Sequence, residues 1–314
     1  MANYLVTGGA GFIGSHLVRH LLDLGESVRA LDNFSTGSRE NLSGVESRID
    51  LIEGDMRQME TAQAAVADMD YVLHQAAIPS VPRSVEDPPG TTENNVMGTV
   101  NLLEAARRAK VRRFVYAASS SAYGDQAARE KVETLPASPL SPYAAAKLAG
   151  EHFCQAFWNA FGLETICLRY FNIFGPRQNP DSPYSAVIPL FVCAVLERQR
   201  PTIYGDGLQS RDFTYVDNVA RANLLAATSR AGVGQTFNIA CGRSFTILNV
   251  LERVCSLLGV PADPVFLDPR PGDVRHSLAS IEKAAERLGY RVEVDFEEGL
   301  RRTVAYYQRV RGAA

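Results

Sequence analysis

Three glycines constrain what the first half of this chain can become. In YLVTGGAGFIGSHLVRHLL, Gly8, Gly11 and Gly14 stand between an apolar strand candidate and an amphipathic helix candidate. A bare backbone at Gly8 permits a tight turn, at Gly11 a close approach to a pyrophosphate, and at Gly14 close packing of helix on strand. The helix start then presents amide donors and the favourable end of its dipole to an anion. The spacing is G-x-x-G-x-x-G rather than G-x-G-x-x-G, and a glycine trio by itself also suits a turn with no ligand.

Residues further along favour the dinucleotide reading. Asp32 ends the second strand candidate, eighteen positions after Gly14, where a carboxylate accepts from ribose hydroxyls and repels a 2′-phosphate. The expected cofactor is therefore NAD rather than NADP, although Arg39 nearby leaves a looser choice open. Asp55, in GDMR, stands where it would receive an adenine amino group, or where it is simply solvated.

Apolar runs at Tyr4, Val28, Ile49, Tyr71 and Arg113 alternate with amphipathic stretches. That rhythm predicts an α/β fold with a doubly wound parallel sheet covered by helices on both faces, a Rossmann-type NAD-binding domain. After Tyr170 the rhythm loosens into Pro- and Gly-rich stretches. The expected division is 1–170 for the NAD-binding domain, with the chain returning to it near 212–240, and 171–314 mainly for a smaller α/β substrate domain. With 46% hydrophobic and 21% charged residues the chain can bury a full core. A formal charge of −3 without a basic stripe argues against nucleic acid. Five scattered cysteines without a C-x-x-C pair imply neither disulfides nor zinc, and His16 and His20 fit a helix face better than a metal site. No run has the length of a signal peptide core or a membrane span, so a soluble cytoplasmic protein is expected, with no membrane partner and no metal.

In SPYAAAKLAGEHF, Tyr143 and Lys147 lie four apart on a predicted helix and project from one face. A phenol that titrates near 10 needs neighbouring positive charge to serve as a base at neutral pH, and the ammonium supplies it. SSSAYG follows the strand candidate RFVYAA, which sets Ser119, Ser120 and Ser121 at the carboxyl end of a sheet strand, where open α/β folds bind ligands. One of these hydroxyls is expected to bond the reacting group. Counting back from Tyr123 favours Ser119.

Together, TGGAGFIG, LDN, GDMR, HQAA, NNVMGT, SSS, YAAAK, RYFNIFGPRQ, YSAVIP, GDGLQSRDFTYVDNVA and RPGDVRHS resemble the extended short-chain dehydrogenase/reductase family over nearly the whole chain. The likeness is strongest to the branch of UDP-hexose 4-epimerases that accept N-acetylated sugars. It implies an active site in a cleft between two domains, and a homodimer joined through a helical bundle. It adds Phe12 and Ile13 on the glycine turn, Asn33, Ser35, Thr36 and Gly37 after the second strand, and Met56 beside Asp55 as cofactor residues. Gln75, Ala76 and Ala77 of HQAA, Asn95 of NNVMGT, and Tyr170 join them, with Tyr143 and Lys147. For a UDP-sugar, the resemblance implies Asn172, Arg211, Arg270 and Asp273 at the UDP portion, with Tyr204 and the backbone of Ala186, Val187 and Ile188. Ser80 and Val81 would flank the sugar, with Ser119, Ser121 and Tyr143 at its reacting carbon and Ser277 beside carbon 2.

The cycle so implied removes hydride from sugar carbon 4 to NAD, turns the 4-keto sugar about its diphosphate linkage, and returns hydride to the opposite face. UDP-GlcNAc and UDP-GalNAc are the expected pair, with UDP-glucose and UDP-galactose also accepted. Three other readings stay open. They are a uronic-acid 4-epimerase, a nucleotide-sugar dehydratase or decarboxylase, and a non-catalytic NAD-sensing protein. The dehydratase is disfavoured because Ser120, Ser121 and Ala122 stand where such enzymes carry acidic residues.

Overall fold

The apolar runs are short, and their side chains are covered on both faces. Tyr4, Leu5 and Val6 are all buried, as in a strand flanked by helices on either side. The computed structural model describes residues 1–181, 186–269 and 274–311. Through its first half the chain runs β1 (Asn3–Thr7), α1 (Phe12–Asp23), β2 (Ser27–Asp32), β3 (Asp50–Glu53), α2 (Met59–Val66), β4 (Tyr71–His74), α3 (Val81–Glu86), α4 (Pro88–Thr92), α5 (Gly98–Arg108), β5 (Arg113–Ser119), α6 (Pro142–Phe161) and β6 (Thr165–Tyr170). The second half contributes β7 (Ile173–Phe174), α7 (Val187–Leu196), β8 (Thr202–Tyr204), β9 (Ser210–Asp212), β10 (Thr214–Tyr215), α8 (Val216–Thr228), β11 (Gln235–Ile239), β12 (Ser244–Thr246), α9 (Ile247–Leu258), β13 (Val265–Leu267), α10 (Glu282–Leu288) and α11 (Phe296–Arg311).

Among the described residues seven strands form one parallel sheet in the order β3-β2-β1-β4-β5-β6-β11. The order reverses between β1 and β4, which opens a crevice at their carboxyl ends. This is the doubly wound architecture that the apolar rhythm predicts. Leu17 and Leu21 of α1 pack with Val219 and Ala226 of α8 on one face. Leu102 and Leu103 of α5, Ala62 of α2 and Phe157 of α6 fill the other.

A third core belongs to the second half, where Phe174, Ile188, Phe213, Phe245 and Phe296 gather among the small strand pairs β7–β10, β8–β13 and β9–β12. Phe12 and Ile13, in the first turn of α1, pack against this core. The smaller region is thus seated beside the glycine turn. Helix α6 has strong local signals at both ends: Ser141 caps it by accepting from the Ala144 amide at 3.2 Å, Pro142 fits the first turn, and left-handed Gly162 ends it.

Candidate active site

The glycine turn leaves no room for side chains. Gly8 has φ +66°, and a Cβ there would lie 3.0 Å from the Ala76 backbone. A Cβ on Gly14 would fall 1.9 Å from the Gly8 carbonyl oxygen, so helix and turn touch through bare backbone. The Gly8 amide donates to Leu31 O at 2.8 Å and the Gly11 amide to Gly8 O at 3.0 Å. Gly11 then caps α1 with no side-chain bond, so no cap side chain occupies the first amides of the helix. This cradle, which any Cβ would fill, fits a dinucleotide pyrophosphate.

Asp32 ends β2 beside the cradle and is largely enclosed. Its Oδ2 accepts from the Ala10 amide at 2.9 Å and its Oδ1 from the Phe34 amide at 2.8 Å. Burial pushes its carboxyl up, and these amides oppose the shift. The carboxylate therefore also holds the glycine loop in shape, a task not visible in sequence. A Cβ on Gly37 would come within 3.0 Å of both Asp32 oxygens. Asn33 donates to Asp55 at 3.1 Å and receives the Ser35 amide at 3.0 Å, and Thr36 is exposed. Side-chain hydrogen bonds from Arg57 hold the Asp55 carboxyl down to about 2, so this residue has a protein partner already. Met56 is buried against Gly98 at the start of α5.

Gln75, Ala76 and Ala77 follow β4 directly, with the Gln75–Ala76 backbone close beside Gly8 of the glycine turn. The Tyr170 hydroxyl donates to Gln75 Oε1 at 3.1 Å and accepts from Asn223 Nδ2 at 2.8 Å, and Gln75 Nε2 donates to Asn223 Oδ1 at 3.0 Å. The third corner of this triangle, Asn223 on α8, lies outside every motif read from the sequence. Asn95 is buried and bonds both backbone groups of Ile78.

At the carboxyl end of β5, Ser119 is a hub. Its Oγ accepts the Ser121 hydroxyl at 2.8 Å and the Ser121 amide at 3.2 Å. It also neighbours the Tyr143 phenol. Burial pushes that phenol up, and the nearby Ser119 hydroxyl works against the shift. Ser120 begins the short turn that follows. Lys147, one helical turn beyond Tyr143, is buried and donates from Nζ to Ala117 O at 2.8 Å. Burial lowers its ammonium to about 8, with Cys154 and Glu151 opposing the shift.

A cavity of about 250 Å³ in the second half brings together Asn172, Ala186, Val187, Ile188, Tyr204 and Arg211. Gln209, Phe213 and Ile247 also line it. No local sequence pattern marks these three residues, although Gln209 and Phe213 lie inside GDGLQSRDF. Asn172 has φ 39° and donates to Asp212 O at 3.0 Å. Arg211 donates to Ser210 O at 2.9 Å. The Ser277 amide bonds that same carbonyl at 3.0 Å, which brings Ser277 next to Arg211. Ser80 caps α3 through the Arg83 amide at 3.1 Å, and Val81 is exposed on its first turn. Arg270 and Asp273 lie outside the described residues. His16 is buried, with Nε2 3.0 Å from Pro176 O and Nδ1 3.4 Å from Asp217. Among the described residues no group of His, Cys, Asp and Glu could hold a metal ion, and no helix is long and apolar enough to cross a membrane.

Comparison with known proteins agrees with this geometry. UDP-glucose 4-epimerase of Mycolicibacterium smegmatis is 38% identical over 97% of this chain and 98% of its own length. The structure of UDP-N-acetylglucosamine 4-epimerase from Methanobrevibacter ruminantium M1, in complex with UDP-N-acetylmuramic acid, matches with a TM-score of 0.94 and 40% identity, covering 98% of this chain and 99% of that one. The UDP-glucose 4-epimerase of Thermus thermophilus, in complex with NAD, matches with a TM-score of 0.90 and 39% identity, over 99% of this chain and all (100%) of the other. Residues 4–240 match the family described as NAD dependent epimerase/dehydratase. With its glycine cradle, its Asp32 and its Ser119–Tyr143 contact in one crevice, the chain belongs to the NAD dependent epimerase/dehydratase family.

Proposed function

We propose that this chain is a UDP-sugar 4-epimerase working with retained NAD, and that UDP-GlcNAc and UDP-GalNAc are its preferred pair, with UDP-glucose and UDP-galactose also accepted. The observation that carries the reading is the Ser119 hub. A proton leaving a sugar hydroxyl bound at Ser119 has Tyr143 as its neighbour and Ser121 behind it. NAD, held on the glycine turn, would supply a reversible hydride acceptor for sugar carbon 4. Tyr143 takes the hydroxyl proton as hydride leaves and returns it after the keto sugar has turned. Lys147 keeps positive charge beneath this end of the sheet. Asp32 receives the adenosine ribose, and the first turn of α1 the pyrophosphate.

The cavity holds the other end of the substrate still while the sugar turns. Arg211 suits diphosphate oxygens through charge-assisted bonds, and Asn172, Tyr204 and the Ala186–Ile188 backbone enclose the nucleoside. Arg270 and Asp273 are assigned to the same UDP portion. Residues 1–170 with 212–240 would then act as the cofactor unit and the remainder as the substrate unit, in a homodimer.

The test is incubation with a panel of UDP-sugars, resolving epimers by NMR and following total mass. Interconversion at carbon 4 without change of mass and without consumption of added NAD is expected. Loss of water or carbon dioxide, or an epimer only from a UDP-uronic acid, would replace this reading. A sedimentation measurement giving a monomer would remove the dimer.

A further inference from the structure

His74 is nearly inaccessible and has no place in the cycle above, yet both of its ring nitrogens are committed. Nδ1 lies 2.7 Å from Thr7 Oγ1 and Nε2 lies 2.9 Å from Thr99 Oγ1. The directions of these bonds follow from their neighbours. Thr99 gives its single hydroxyl proton to Asn95 O at 2.7 Å, so its oxygen accepts from Nε2–H. Thr7 accepts the Ala76 amide at 3.2 Å and gives its own proton to Nδ1. At the far end Asn95 receives the Ile78 amide at 2.8 Å and donates to Ile78 O at 3.2 Å. Thr7, His74, Thr99 and Asn95 are all buried.

The chain of bonds therefore begins at the residue before the glycine turn, passes through the sheet, and ends on the loop that leads to Ser80. Its far anchor, Asn95, sits in a π-helical turn, Glu93–Met97, a rare feature often found at functional sites. At the near end there is no slack, since a Cβ on Gly8 would stand 3.0 Å from the Ala76 backbone.

We infer that His74 is a positioning residue: its uncharged imidazole, donating from Nε2 to Thr99 and accepting at Nδ1 from Thr7, holds the Gln75–Ile78 segment against the glycine turn and so fixes one wall of the cofactor cleft. A protonated ring would place a second N–H against the Thr7 oxygen and leave the Thr7 proton without an acceptor in a buried place. The groups facing the ring are Thr7 from β1, Thr99 from α5, and Phe114 and Tyr116 from β5, whose ring centroids are 5.5 and 5.7 Å away. The charge acting on it is the Lys147 ammonium of α6, and burial together with that charge lowers the imidazole to about 3. The consequence for the cofactor rests on the proposed placement of NAD on the glycine turn, whereas the tautomer does not.

Two measurements test this. In the ¹⁵N-histidine-labelled holoprotein, His74 should give the signals of an Nε2–H tautomer that does not titrate between about pH 5 and about pH 8. Titration in that range, or an Nδ1–H tautomer, would overturn the inference. NAD affinity is then measured for three variants. His74→Asn keeps an acceptor near Nδ1, His74→Gln keeps a donor near Nε2, and His74→Phe fills the space with neither. The Kd for NAD should rise about ten-fold in H74Q and H74F and stay within about three-fold in H74N. Equal weakening of H74N and H74Q, or wild-type affinity in H74F, would refute the positioning role. Should H74F not fold, the tautomer and the Asn–Gln comparison still decide. A wild-type protein that binds no NAD would instead remove the cofactor placement and leave the tautomer result standing.

Discussion

The hydroxyl of Ser121 donates to the oxygen of Ser119 across 2.8 Å, and Ser119 in turn neighbours the Tyr143 phenol and opposes the rise that burial gives it. One serine of the three therefore joins the other groups of the site. Ser119→Ala should lower kcat about 100-fold, Ser121→Ala about 10-fold and Ser120→Ala no more than about 3-fold. The check is steady-state epimerisation by each single variant. An order in which Ser119→Ala is mildest would move the reacting hydroxyl to another serine.

Tyr143→Phe keeps the ring and removes the proton acceptor, so NAD and UDP should still bind while kcat falls on the order of 1,000-fold. Lys147→Ala removes a buried amine bonded to Ala117 O, and its rate should stay low even at saturating NAD. Titration calorimetry beside turnover separates the two effects. Full rescue of Lys147→Ala by NAD would restrict that residue to binding.

Gly14→Ala places a Cβ where the Gly8 carbonyl oxygen stands, 1.9 Å away. Turn and helix must then part, costing about 1–3 kcal/mol of stability and most of the NAD affinity. Asp32 is expected to set the choice of cofactor in the same cradle, so the wild type should bind NAD at least about 100-fold more tightly than NADP, because the carboxylate would repel the added phosphate. Denaturant melts and fluorescence titrations measure both. Comparable NADP affinity would contradict the role of Asp32.

His74 gives the protein a dependence on acid. Its folded value of about 3 lies below the ordinary 6.5, so between these limits the unfolded chain binds the extra proton and stability falls as pH falls. Below about pH 6 the advantage of wild type over His74→Gln should shrink, by a limiting slope of about 1.4 kcal/mol per pH unit. Urea melts of both proteins across that range are the measurement. A constant difference would mean that His74 takes up a proton without cost.

Ser277 is half-buried and bonds the Ser210 carbonyl beside Arg211. A tyrosine there should fill the space that an N-acetyl group on sugar carbon 2 needs. Ser277→Tyr is expected to cut kcat/KM about 10- to 100-fold for UDP-GlcNAc and UDP-GalNAc while changing UDP-glucose and UDP-galactose by less than about 3-fold. Equal losses for both pairs would sink the argument from pocket volume.

The sheet was legible in the sequence because its inner strands, such as β1, β5 and β6, are buried on both faces, which leaves apolar runs, and because the glycine turn and the Tyr143–Lys147 spacing are local patterns. Caps such as Ser141 and Gly162 are local too. What required the folded chain was every relationship between segments far apart. Asp32 bonding the Ala10 amide, Asn223 closing a triangle with Gln75 and Tyr170, and His74 linking Thr7 to Thr99 are examples. The choice of Ser119 as hub and the gathering of Asn172, Val187, Tyr204, Gln209 and Ile247 around one cavity belong with them. Periodicity specifies which face of an element is apolar, but hydrogen-bond partners are chosen only when the sheet order and the packing of the second core bring particular backbone and side-chain groups within about 3 Å of each other.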